Sequence, residues 1–309
     1  MIVTITLNPA IDKTIELNHF SLGALNKVEN AILDPGGKGI NVSKVVESLG
    51  GKSIATGFLG GGTGKYIENA LNEMAIANDF VQIEGETRTN LKIFDRATKE
   101  TTEINEPGPN VTELHIARLV EKVEKMIMPP CIVVISGSAP KSVPAEIFAD
   151  LIRAAKKKGA KVFLDASGSA FEAGIKAKPD FIKPNKHELE QYFDREIHTD
   201  SEVKAAGRHF IDIGIDNVLI SLGKEGAYFG NKDKSLRLKP LKVDAHSSVG
   251  AGDAFVGAFV YALDHEYEID EMLKLAIATS AGAVMTVGTK PMEMEWIMSQ
   301  LDRVDIEKI

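Results

Sequence analysis

Ser247-Ser248-Val249-Gly250-Ala251-Gly252-Asp253, running into Ala254-Phe255-Val256-Gly257-Ala258-Phe259-Val260, is the segment of this 309-residue chain best suited to chemistry. Gly250, Ala251 and Gly252 let the backbone approach a ligand closely, and the apolar residues after them predict a helix over 253–263. A helix start leaves N–H groups unpaired and carries the positive end of the macrodipole, so it attracts anions. A carboxylate placed there repels such a ligand and gains a use only by accepting a proton beside a phosphate. That chemistry is phosphoryl transfer to a hydroxyl group, with Asp253 as the base and the Gly250-Ala251-Gly252 loop catalytic with it, the Ala251, Gly252 and Asp253 amides neutralising the transferring group. The helix dipole should lower the pKa of Asp253, which a loose transition state tolerates because the proton leaves late.

Other glycine-rich clusters need weighing. Gly37-Lys38, Gly51-Lys52 and Gly64-Lys65 suggest a phosphate-binding P-loop, but the first glycine of that motif is replaced by Ile32, Val46 and Leu59. A dinucleotide fingerprint fails too, since Gly250-x-Gly252 is followed by glycine at 257 and a helix stands where a strand-end acid belongs. Asp34-Pro35-Gly36-Gly37-Lys38-Gly39-Ile40-Asn41 is either a tight turn or bare backbone meeting a polyhydroxylated substrate. Asp12, just after the first strand, could chelate sugar hydroxyls or cap a turn. Asn185 and Glu188 have capping-box spacing, and the same pair could hold water-bound Mg²⁺. The seven histidines are scattered and form no metal or nucleophile–base pair.

The net charge of −8 argues against nucleic-acid or membrane-surface binding and requires local cations wherever an anionic substrate sits. Cys131, the single cysteine, lies in an apolar run and reads as structural. No apolar run reaches the roughly 20 residues of a membrane span. The N-terminus reads as a strand and not as a signal peptide, so a cytoplasmic location is expected.

The elements that must position these residues alternate. Strands are expected at 2–7, 53–58, 131–135, 161–164, 181–183 and 218–221. Helices are expected at 40–49, 65–74, 112–126, 144–158 and 201–213, then at 253–263, 270–284 and 291–301. This predicts an α/β fold, a doubly wound, mainly parallel sheet with helices on both faces. The stretches 12–33 and 87–105 break the pattern with polar β character, including a hairpin turning at 95–98. They predict a small β-sheet lid on one core domain spanning 1–309.

In order along the chain, Asn8-Pro9-Ala10-x-Asp12, Gly36-Gly37-Lys38-Gly39-x-Asn41-Val42, Thr87-Arg88-Thr89-Asn90, Ser136-Gly137-Ser138-x-Pro140, Asp165-x-Ser167-Gly168, Lys183-Pro184-Asn185-x-x-Glu188, Ser221-Leu222-Gly223-x-x-Gly226 and Val249-Gly250-Ala251-Gly252-Asp253 form a set. Together they resemble the ribokinase-like sugar kinases of the phosphofructokinase B branch. The resemblance implies a doubly wound core under a β lid, often shared across a homodimer. It implies that Asp12, Gly37, Lys38 and Asn41 hold the sugar, while Arg88, helped by Ser138, Lys27 and Lys92, takes the phosphate already on it. It places ATP against Lys183, Asn185, Ser221, Gly223, Gly226, Ser248, Gly250 and Gly252, with Mg²⁺ held through water by Asn185 and Glu188. Ala139 stands where many relatives have leucine, a change that spares Ser138. Within that branch, Ile5–Asp12 and Arg88–Ile93 most resemble the kinases of fructose 1-phosphate, which implies phosphorylation of its 6-hydroxyl, with tagatose 6-phosphate or another phosphosugar as the alternative. A non-catalytic sensor of nucleotide or sugar phosphate is a different class, and it has no use for Asp253. A ribose- or nucleoside-type kinase would lack the cations around Arg88.

Overall fold

The computed structural model describes residues 1–245, 248–286 and 288–309. Its centre is the five-residue strand Ile2–Thr6, every residue of which is buried. Parallel neighbours flank it: Ser53–Gly60 on one side and Ile132–Ser136 on the other. The parallel order continues through Lys161–Asp165, Phe181–Ile182 and Asn217–Ser221. Three antiparallel strands then close that edge: Ala227–Gly230, Ser235–Leu238 and Ile306–Lys308. Ala77–Asn78 and Val81–Ile83 pair with Ser53–Gly60 at the other edge, completing an 11-stranded sheet.

Strand residues alternate between two cores because successive side chains leave opposite faces. Val3, Ile5, Val133, Ile135, Val162 and Leu164 face one layer of helices. Ile2, Ile132, Val134 and Phe163 face the other. That second layer contains the helices Lys38–Ser48, Ala251–Asp264 and Ile269–Ala283. Strands buried on both faces must be apolar throughout, which is why they were readable as continuous β-branched runs. No described helix is long and apolar enough to cross a membrane.

A second, four-stranded sheet runs in the order Asn30–Gly36, Ala10–Leu17, Arg88–Asp95, Glu100–Asn105. Its middle pair is parallel and its outer pairs are antiparallel. The expected hairpin at 95–98 is present, with Asp95 Oδ1 accepting from the Ala97 and Thr98 amides. The sheet begins earlier than 12 because Ala10 and Ile11 continue it into the body, where both are buried.

The chain leaves the central strand first toward Ser53–Gly60 and later toward Ile132–Ser136. A crevice opens where such a sheet switches direction, outside the carboxyl ends of its strands. The small sheet stands beside that crevice.

Candidate active site

Asp253 is the third residue of the helix Ala251–Asp264 and is only 7% exposed. Its N-cap, Gly250, has φ 81°, a left-handed conformation that glycine adopts without steric cost. The Ala251 amide points at the Ser248 carbonyl 3.4 Å away, a long contact that leaves the helix start open to an anion. Ser247 lies outside the described residues. Asn41, buried on the helix Lys38–Ser48, donates from Nδ2 to Asp253 Oδ2 at 2.8 Å.

Burial raises the Asp253 pKa to about 6, helped by Asp165 and opposed by Lys38, the Asn41 hydrogen bond and Lys183. This corrects the expectation of a lowered value. The carboxylate is sealed under its own helix, so the loss of water outweighs the favourable backbone field.

Asp165 ends the strand Lys161–Asp165 and is 1% exposed. Its Oδ1 lies 3.2 Å from Lys183 Nζ and 3.5 Å from Lys38 Nζ, in ion-pair range but outside hydrogen-bonding geometry. Burial alone would raise its pKa, yet the two ammoniums outweigh burial and hold it below its ordinary value. Lys38, the first residue of its helix, is correspondingly pushed up, chiefly by Asp165. Lys183 Nζ lies 3.4 Å from where a Cβ on Gly252 would stand, so this ammonium sits directly beneath the helix start. Two cations therefore face the place where negative oxygens would gather.

Asp12 is buried in the small sheet, where its Oδ1 accepts from Asn90 Nδ2 at 3.0 Å and its Oδ2 from Lys92 Nζ at 3.0 Å. Arg88 donates to the Asn8 carbonyl at 3.0 and 3.3 Å and to the Glu106 carbonyl at 3.1 Å. It lines a cavity of about 470 Å³ with Glu86, Glu106 and Gly108. Gly37 caps the helix Lys38–Ser48 at φ 111°, another conformation that favours glycine.

Ser138 is exposed in the loop beyond Ile132–Ser136, and Lys27 is exposed on the 18–29 loop of the small sheet. Among the described residues, neither is bonded to Asp12, Lys38, Asn41, Arg88 or Lys92. Asn185 and Glu188 form the capping box foreseen as one of their two readings, with bonds of 2.8 and 2.9 Å. Ser221 ends its strand and bridges to Asn185, while Gly223 and Gly226 bracket the turn leading to Ala227–Gly230. Ser248 is exposed just before the helix start.

Five buried side-chain oxygens have no hydrogen-bond partner among the described residues: Thr6 Oγ1, Asn8 Oδ1, Asn41 Oδ1, Asn90 Oδ1 and Asp165 Oδ1. Buried polar atoms are normally paired, so a cluster of orphans marks where a ligand with hydroxyl donors is accommodated. Thr6 and Asp165 end their parallel strands, Asn8 follows the first of them, Asn41 lies in the first turn and a half of its helix, and Asn90 stands in the small sheet opposite Asp12.

No three His, Cys, Asp or Glu side chains converge on a common point among the described residues. A Mg²⁺ ion that keeps most of its water needs only one or two protein oxygens. Glu188 fits: its cap bond uses one oxygen, and its charge reaches Lys38 at the crevice.

Sequence reasoning missed Asp165 and Asn90 as site residues, although both stood in the motif set. An acid terminating an apolar parallel strand was the available signal for Asp165.

The model of the pfkB family carbohydrate kinases matches residues 5–296. The 1-phosphofructokinase of Borreliella burgdorferi is 34% identical over 310 residues, covering 100% of this chain and 99% of that protein. A tagatose-6-phosphate kinase of Staphylococcus epidermidis is 35% identical over 281 residues, covering 90% of each. The crystal structure of Escherichia coli phosphofructokinase-2 in complex with substrates and products superposes with TM-score 0.93 at 30% identity, covering 98% of both chains.

Proposed function

Because the chain belongs to the pfkB family of carbohydrate kinases, we propose that it transfers the γ-phosphoryl group of ATP to the 6-hydroxyl of fructose 1-phosphate. The observation that carries this reading is the buried Asp253–Asn41 pair, which joins a proton acceptor under an anion-attracting helix start to an orphaned carbonyl oxygen on the sugar side.

The residues divide the work. Asp12, Asn41 and Asn90 accept from the sugar hydroxyls, and Asn41 also aims the Asp253 carboxylate. Arg88, whose planar fork is already oriented by two backbone carbonyls, takes the phosphate carried by the sugar, with Lys27 and Ser138 brought in from the exposed loops. Gly223, Gly226, Ser221 and Ser248 line the nucleotide side. As the 6-oxygen bonds to phosphorus, the bond from phosphorus to the β–γ bridging oxygen breaks and ADP leaves. Asp253 takes the hydroxyl proton, and the Gly252 and Asp253 amides with Lys38 and Lys183 offset charge on the transferring group. Mg²⁺, when bound, neutralises the triphosphate, and Glu188 and Asn185 would hold its waters.

With a pKa of about 6, Asp253 is ionised at neutral pH yet basic enough to accept the proton. The small sheet acts as a lid over the sugar. Its 18–29 loop carries Leu22 and Leu25, 90% and 88% exposed, and Val28, while Leu33 and Ile104 are exposed on its two edge strands. An apolar surface of that kind on an open sheet is suited to a second copy, making a homodimer through the lid. ATP and phosphosugars are cytoplasmic metabolites, which places the activity there.

The test is ATP consumption with fructose 1-phosphate, fructose 6-phosphate, tagatose 6-phosphate and ribose. The reading expects fructose 1-phosphate to have the highest kcat/KM and to yield a bisphosphate. Preference for tagatose 6-phosphate moves the substrate but keeps the mechanism; preference for ribose refutes the role of the cations.

A further inference from the structure

One buried ammonium has no part in that mechanism. Lys44 lies one turn beyond Asn41 on the helix Lys38–Ser48, is 5% exposed, and donates to Thr289 Oγ1 at 2.9 Å. Thr289 is itself 9% exposed, and its Cγ2 methyl stands 3.5 Å from where a Cβ on Gly250 would be. Asp34 reaches the same turn from the lid strand, its Oδ2 only 2.6 Å from where a Cβ on Gly288 would be. The 288–289 turn thus meets the lid, the sugar-side helix and the N-cap of the Asp253 helix at once. A charged amine costs free energy to bury, so its presence at a junction of three structural elements needs a reason.

We infer that Lys44 is a positioning residue, clasping the 288–289 turn through Thr289 so that the lid and the helix start bearing Asp253 are held in one register. The inference rests on the proposed kinase reading and deepens it by naming what links its sugar and nucleotide halves. The clasp works while the amine is protonated and donating. Burial lowers the Lys44 pKa to about 8. Asp34, Asp12 and Asp253 favour its charge and Lys92 opposes it. Loss of that proton weakens the ion–dipole bond to Thr289 and removes the positive charge that Asp34 feels.

The experiment compares wild type, Lys44→Arg and Lys44→Met from pH 6.5 to 9.5, with hydrogen exchange on the full-length chain in parallel. For wild type, kcat should fall about tenfold per pH unit above about pH 8. Lys44→Arg, which keeps its charge, should lose that limb. Lys44→Met should lower kcat on the order of 10–100-fold at pH 7.5 and raise KM for both substrates, since a misplaced site loses that much. Amides of 288–292 and 250–253 should exchange at least tenfold faster in Lys44→Met, with those of Ile132–Ser136 unchanged. If Lys44→Met does not fold, Thr289→Val, which removes only the hydroxyl, should give the same exchange pattern. Rates within twofold of wild type, unaltered exchange, or an alkaline limb that persists in Lys44→Arg would overturn the inference. Exchange needs no turnover, so a wild type inactive toward every acceptor defeats the kinase reading while the clasp is still judged by its amides.

Discussion

Replacing Asp253 by asparagine should make the protein more stable and nearly inactive, and the two effects have one cause. The carboxylate is 7% exposed and its pKa stands at about 6, against 3.8 for an unperturbed aspartate. A group that binds its proton more tightly in the folded state loses stability as pH rises through the interval between the two values. Here the loss accumulates from about pH 4 to about pH 6 and is complete at pH 7.5. Two pKa units correspond to about 3 kcal/mol, so a neutral amide able to keep a bond with Asn41 should recover roughly 1–3 kcal/mol. At the scale of a large domain this raises Tm by about 2–10 °C. Loss of the base should cut kcat by about 10²–10⁴-fold with the KM for ATP little changed. Thermal unfolding at pH 4 and pH 7.5, with coupled measurement of ADP release, reads both effects. The stability gain should vanish at pH 4, where wild type is protonated in the folded state. A variant that turns over within tenfold of wild type, or is no more stable at pH 7.5, would refute the assignment of a desolvated base.

Arg88→Ala should raise KM for the phosphosugar about 30–1000-fold, equivalent to ~2–4 kcal/mol for a partly buried ion pair, while sparing the KM for ATP. Equal changes for both substrates would make Arg88 structural. Lys183→Met removes one of two cations from the buried Asp165 and should cost about 3–5 kcal/mol in urea unfolding. That penalty should shrink as pH is lowered, because the lysines hold the Asp165 pKa down and the stability they supply is lost as the carboxylate protonates. Leu22→Asp with Leu25→Asp should yield monomers in analytical ultracentrifugation without unfolding the chain, since both side chains are almost fully exposed. An unchanged sedimentation coefficient would place the subunit contact elsewhere.

The parallel core was legible because strands such as Ile132–Ser136 are buried on both faces and carry β-branched residues throughout. The lid was legible for the opposite reason: Arg88–Asp95 and Glu100–Asn105 mix β-forming residues with many polar ones, with no helix between them. The strands at the far edge, Ala227–Gly230, Ser235–Leu238 and Ile306–Lys308, were not foreseen, as runs of three or four residues are too short to reveal a period. Asp253 itself stood out locally, but its basicity did not. The dipole acting on it comes from its own helix, whereas its burial and its partners Asn41 and Asp165 come from distant parts of the chain. Lys44 had a faint signal, a lysine inside a helix whose residues from Gly39 to Val46 are all buried.

Asn41 and Asp253 are 212 residues apart, and the amino group of Met1 pairs with Asp264 at 2.5 Å on the same late helix. The ribosome therefore releases the sugar-recognising half long before the acid it serves exists. On the proposed mechanism, a nascent or prematurely ended polypeptide lacking the last fifth of the sequence should consume no nucleotide, since the proposed acceptor of the proton is still unmade. Splitting the gene between the two halves should give fragments that are each silent alone and regain turnover only on reassembly.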